Sequence, residues 1–149
     1  MKVEKITKVE LLKLEGKYIF HGSEKLFDIA MPHQAKCDTK KKENEQFAIY
    51  GSPDLNFSIV FAFPKSPYRK YRWSCKFVDG KYMGDLHDDT YIEEDAKGYL
   101  YCFDKTKFEP TEKGSAQYVC KKPLKPELIL EVAYKDFKDN FINDLEHTL

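Results

Sequence analysis

The spacing of apolar side chains divides this chain into short strands and a few helical turns. Ile6, Val9, Leu11, Leu12 and Leu14 fall among charges over residues 5–15, which predicts a short amphipathic helix, with a strand as the alternative. Gly16 suits the C′ position that ends such a helix, because glycine takes the left-handed conformation without a Cβ penalty. Tyr18-Ile19-Phe20 reads as a strand over 17–21 that runs into His21-Gly22-Ser23. Phe47-Ala48-Ile49-Tyr50 reads as a second strand over 46–50, broken by Gly51. Ser52 then fits an N-cap, Pro53 the first helical position, and Asp54 the positive end of a helix dipole. Leu55, Ile59 and Phe63 recur every four residues, so a helix with one apolar face is expected over 53–63, stopped by Pro64.

Further on, residues 73–78, the Asp79-Gly80 turn and Lys81-Tyr82-Met83 form a β-hairpin pattern. Strands are expected at 98–103, 117–120 and 128–132, and Asp104 caps one short turn through Phe108. Phe137, Phe141 and Leu145 share a four-residue spacing that predicts a C-terminal helix. Residues 32–46 are polar, a length of loop that is usually a lid, a binding loop or a disordered excursion. The interleaving of many strands with few helices predicts an α+β domain with antiparallel sheets.

Composition narrows this picture. The 149 residues fit a single domain over 1–149, with no repeat or internal boundary. Ten Tyr and eleven Phe favour strands and an aromatic core. Lys plus Arg balance Asp plus Glu at 25 each, so no global field attracts nucleic acid or an anionic membrane. The clusters Lys40-Lys41-Lys42, Arg69-Lys70 with Arg72, and Lys121-Lys122 read as solvated surface. No run approaches 18 apolar residues, so no membrane partner is expected. None of Cys37, Cys75, Cys102 and Cys120 forms a C-x-x-C pair, and no apolar leader region precedes them. A cytoplasmic protein with reduced thiols is expected, with Cys75 and Cys102 as small core residues. His87 with Asp85, Asp88 and Asp89 reads as an acidic surface loop, and no metal site is expected.

Several chemistries are excluded by their motifs: there is no phosphate loop, G-x-G-x-x-G, H-E-x-x-H or G-x-S-x-G. One arrangement stands out. A strand ends in His21-Gly22-Ser23, a second ends Ile49-Tyr50-Gly51-Ser52, and the helix that follows at once runs to Phe61-Ala62-Phe63. Gln117-Tyr118-Val119-Cys120 and the 128–132 strand come much later. This order resembles the ADP-ribosyltransferase superfamily of the diphtheria-toxin and poly-ADP-ribose-polymerase type, and within it small prokaryotic-type domains. The resemblance covers residues 17–63 and, more loosely, 98–132.

It implies split antiparallel β-sheets with a few short helices and NAD in the cleft between them. His21 would hydrogen-bond a ribose hydroxyl of NAD, the Gly22 backbone would hold the nicotinamide carboxamide, and Tyr50 would stack on the nicotinamide ring. Ser23, Ser52 and the start of the following helix would line the site. The residue types suit the chemistry. A glycine lets backbone approach an amide, an aromatic ring is a flat platform, and an acceptor stabilises the oxocarbenium character that develops on the ribose. The family's late-strand Glu is matched here by Gln117, with Glu112 five residues earlier as the other candidate. The resemblance therefore implies a transferase that moves ADP-ribose to a macromolecular acceptor. The alternative is a catalytically inactive nucleotide- or protein-binding module on the same fold. A related variant would transfer an RNA 2′-phosphate to NAD. The sequence leaves the oligomeric state open.

Overall fold

The computed structural model describes residues 2–34, 47–68 and 72–143. Its strands are β1 (Glu4–Lys5), β2 (Tyr18–Ser23), β3 (His33–Gln34), β4 (Phe47–Gly51), β5 (Trp73–Val78), β6 (Lys81–Leu86), β7 (Lys97–Asp104), β8 (Glu109–Pro110), β9 (Tyr118–Cys120), β10 (Leu128–Ala133) and β11 (Phe141–Asn143). The helices are α1 (Lys8–Leu12) and α2 (Leu55–Val60). The strands form three sheets, ordered β1-β10-β7-β2, β3-β4-β9-β8 and β11-β6-β5. The α+β character expected from the sequence is present. The long ladders are antiparallel, while the short strands β1 and β11 add parallel to β10 and β6 at sheet edges.

β7 is the spine. Residues 98–103 are buried throughout, which explains why Tyr99-Leu100-Tyr101-Cys102-Phe103 reads as an unbroken apolar run. One face of the central sheet presents Phe20, Leu100, Cys102, Leu130 and Val132 to Leu55, Ile59 and Phe63 around α2. The other presents Ile19, Tyr99, Tyr101, Phe103 and Ile129 to Ile49 and Phe108. The helix sits close because two glycines make room for it. A Cβ on Gly98 would lie 1.9 Å from the Ala62 carbonyl oxygen, and one on Gly22 would lie 2.1 Å from that of Ser58.

Local signals shift the element ends. Thr7 and Glu10 form a reciprocal capping box, so α1 starts at Lys8, and the helix ends at Leu12 rather than running to residue 15. Gly16 keeps a left-handed φ of 89° but in the turn that follows, three residues past the C-cap Lys13. The N-cap of α2 is Asp54, whose Oδ1 accepts from the Phe57 amide at 3.0 Å. Ser52 is not the N-cap; it is held in the ladder with Phe20. The hairpin is as expected, with Asp79 and Gly80 at φ of 50° and 83°. No helix forms over residues 134–143. Two single 3-10 turns at Tyr134–Asp136 and Lys138–Asn140 lead into β11. The spacing of Phe137 and Phe141 serves tertiary packing instead: both rings lie about 6 Å from Phe63. Leu145, most of the 32–46 loop, Cys37, Lys40-Lys41-Lys42 and Arg69-Lys70 lie outside the described residues. Cys102 is a core residue as expected, whereas Cys75 is only half-buried.

An unusual lysine lies in the chain that follows α2. Lys65 Nζ donates to the Val60 carbonyl and lies 4.0 Å over the Trp73 ring. Burial pulls its pKa down to about 7, and burial pushes the Cys75 and Cys102 thiols up to about 12. Between pH 7 and 10 the unfolded chain therefore holds a lysine proton that the fold has released, so stability rises with pH. Above about pH 9 unfolded cysteines ionise while the folded ones do not, and stability falls again. Urea unfolding should show stability climbing from pH 7 to 9, by on the order of 1 kcal/mol per pH unit at most, then declining. Lys65→Met should remove the climb and keep the decline. A flat wild-type profile would rule out a deprotonated Lys65 in the fold.

Candidate functional site

Among the described residues, one backbone bridge joins the first two sheets. Phe20 and Ser52 exchange two backbone hydrogen bonds of 2.8 Å, and beyond this bridge β2 stays with β7 while β4 pairs with β9. Because the Phe20 amide and carbonyl point toward β4, alternation along the strand aims those of Gly22 the same way, onto the edge of β2 that the divergence opens. The Gly22 α-carbon meanwhile rests on the backbone of α2.

His21 lies between these elements. Its Nδ1 is 2.5 Å from the carbonyl oxygen of Tyr50. A carbonyl only accepts, so Nδ1 carries the proton and Nε2 is left as an acceptor. Burial lowers the His21 pKa, the Tyr50 hydrogen bond opposes that shift, and the charge of nearby His33 adds to it. The imidazole is therefore neutral at neutral pH. Its ring packs edge-on against Phe27 and Tyr101 at 6.0 and 6.1 Å.

Not all of the remaining candidates reach this contact. Tyr50 is half-buried on β4, opposite Val119, with its ring 6.4 Å from that of His33. By strand alternation across the Phe20–Ser52 bridge, the Tyr50 side chain lies on the face of Phe20 and Ser52, whereas His21 lies on the opposite face with its register partner Tyr101, so the two side chains do not share one face. The two residues meet at the open edge, through the imidazole and the Tyr50 carbonyl. Ser52 is fully buried, and its hydroxyl accepts from the Asp54 amide at 3.0 Å, so it serves the turn into α2. The Ser23 hydroxyl accepts from the Lys25 amide in the turn that leaves β2.

Gln117 directly precedes β9. Its amide donates to Ser115 Oγ and its carbonyl accepts from Thr111, while its side-chain Oε1 is buried without a hydrogen-bond partner. Extending the β4–β9 register puts Gln117 opposite Ser52, on the same face as Tyr50 and Val119. Glu112 is not brought to this group; it is exposed in the turn that joins β8 to β9. Two ring neighbours of these candidates carry no signal in the sequence. His33 sits beside Tyr50, and Tyr101 beside His21. Each is brought there by strand pairing, which leaves no local spacing signal.

Among the described residues no three His, Cys, Asp or Glu side chains converge to hold a metal ion. A separate open hollow of about 220 Å³ lies at the β1–β10 edge, lined by Lys5, Ile6, Thr7, Glu131, Ala133 and Asp136, none of them a site candidate. No described helix is long and apolar enough to cross a membrane. Compared with protein-family models, curated proteins and solved structures, the chain has no match in any of the three.

Proposed function

We propose that this chain is an NAD-binding domain of the ADP-ribosyltransferase type, acting in the cytoplasm on a macromolecular acceptor. The observation that supports this reading best is the split between β2 and β4, with a neutral His21 imidazole tied to the Tyr50 carbonyl at its edge. A carboxamide presents one donor pair and one acceptor, which a strand edge such as that of Gly22 can match. The His21 Nε2 acceptor suits a ribose hydroxyl. Gln117 can hold a hydroxyl but supplies no negative charge to an oxocarbenium-like centre, so turnover is slow. For the same reason a non-catalytic nucleotide- or protein-binding module is the second reading, favoured by the neutral Gln117 side chain.

Isothermal titration of the wild type with NAD tests the first reading. Weak but saturable binding is expected, and His21→Ala should weaken it at least about tenfold, roughly 1.4 kcal/mol. Wild-type protein that takes up no NAD would sink the first reading and leave the non-catalytic binding module standing.

A further inference from the structure

The phenol of Tyr101 is more than core. It is fully buried on β7, and a phenylalanine, like its neighbour Phe103 on the same face, would fill that space. Its hydroxyl reaches instead to the segment that follows His21-Gly22-Ser23. Tyr101 Oη donates to the Lys25 carbonyl at 2.6 Å and accepts from the Phe27 amide at 2.9 Å. The Phe27 ring then stacks on Tyr101 with centroids 3.8 Å apart and planes within 4°. Both rings press their edges toward the His21 imidazole.

We infer that Tyr101 is a positioning residue for the candidate site, pinning the segment from Lys25 to Phe27 so that Phe27 and Tyr101 together fix the orientation of His21. The role assigned to His21 rests on the proposed NAD site; the clamp itself rests on the distances above. The imidazole is held from two sides, by the Tyr50 carbonyl and by the stacked pair of rings, so its Nε2 lone pair keeps one direction. A preoriented acceptor of this kind binds without first losing rotamer freedom. Burial raises the pKa of the Tyr101 phenol, against the Phe27 hydrogen bond, so the hydroxyl keeps the proton it donates to Lys25. The same two rings shield the imidazole from water on that side, consistent with burial as the main cause of the low His21 pKa.

Tyr101→Phe tests the idea, because it keeps the ring and removes both backbone contacts. With the segment released, water should reach the imidazole. The His21 titration followed by NMR of the full chain should then move up by about one pH unit, and NAD affinity should fall about tenfold. Tyr99→Phe is the control: that ring shares the face on β7 but its hydroxyl bonds no described residue, so His21 should titrate as in the wild type. A folded Tyr101→Phe protein whose His21 signals and titration match the wild type overturns the inference, as does a Tyr99→Phe protein that moves them equally. If Tyr101→Phe does not fold, Phe27→Leu gives the same reading, with an unchanged His21 titration again overturning it. Absence of NAD binding by the wild type sinks the proposed function alone, and the imidazole titration still decides the positioning.

Discussion

Replacing Gly98 by alanine is expected to cost about 3 kcal/mol of folding stability or more, at the upper end of what overpacking does. The added methyl would lie 1.9 Å from the Ala62 carbonyl oxygen and 2.6 Å from its carbonyl carbon. These are backbone atoms at the end of α2, which cannot rotate aside as a side chain would. Relief requires lifting the helix from β7, and that opens the cluster of Leu55, Ile59 and Phe63 on the central sheet. Gly22→Ala should act in the same way, with Ser58 O at 2.1 Å and the Ala62 amide at 3.0 Å, and should also displace the open edge of β2. Gly80→Ala is the contrast. No atom lies within 4 Å of its would-be methyl, but its φ of 83° is strained for alanine, so a loss of about 1 kcal/mol is expected. Urea unfolding of the three variants measures this order. A Gly98→Ala protein within 1 kcal/mol of the wild type would mean that α2 does not pack this closely.

The same packing explains what the sequence made legible. The strands at 97–104 and 128–133 were readable because both faces of each meet apolar neighbours, so composition alone carries the signal. The hairpin was readable because Asp79-Gly80 is a turn that few other pairs can make. The spacing of Phe137 and Phe141 mimics a helix because both rings pack against Phe63, a residue far away in the chain. The helix over 53–63 was overextended because Ser52 and Asp54 are both good caps, and only the Phe20 ladder shows that Ser52 is already committed. Among the candidate site residues, His21, Gly22, Tyr50 and Gln117 follow from the order of short motifs. Tyr101 could not, since it lies 80 residues from His21 in the chain and next to it only through the β2–β7 register. Neither could His33, whose partner Tyr50 follows a stretch that gives no periodic signal.

Gln117→Glu should raise NAD hydrolysis by about 10²–10³, the factor one preorganised electrostatic group commonly supplies. The change adds charge with almost no change in size. The Gln117 Oε1 is buried with no hydrogen-bond donor on it, so a carboxylate there would keep most of its charge for a developing ribose cation. The same lack of donors makes that carboxylate costly in the free protein, by about 1–3 kcal/mol of stability. Burial should also raise its pKa, so the gained activity should increase with pH as the new carboxyl ionises. Glu112→Gln, in the exposed β8–β9 turn, should leave both forms as they were. His21→Ala should remove the gain in the Gln117→Glu background, because binding precedes chemistry. Nicotinamide release at saturating NAD reads all five proteins. A Gln117→Glu variant that binds NAD without gaining activity would show that residue 117 does not face the scissile bond. Brisk wild-type turnover abolished by Glu112→Gln would move the catalytic role to Glu112.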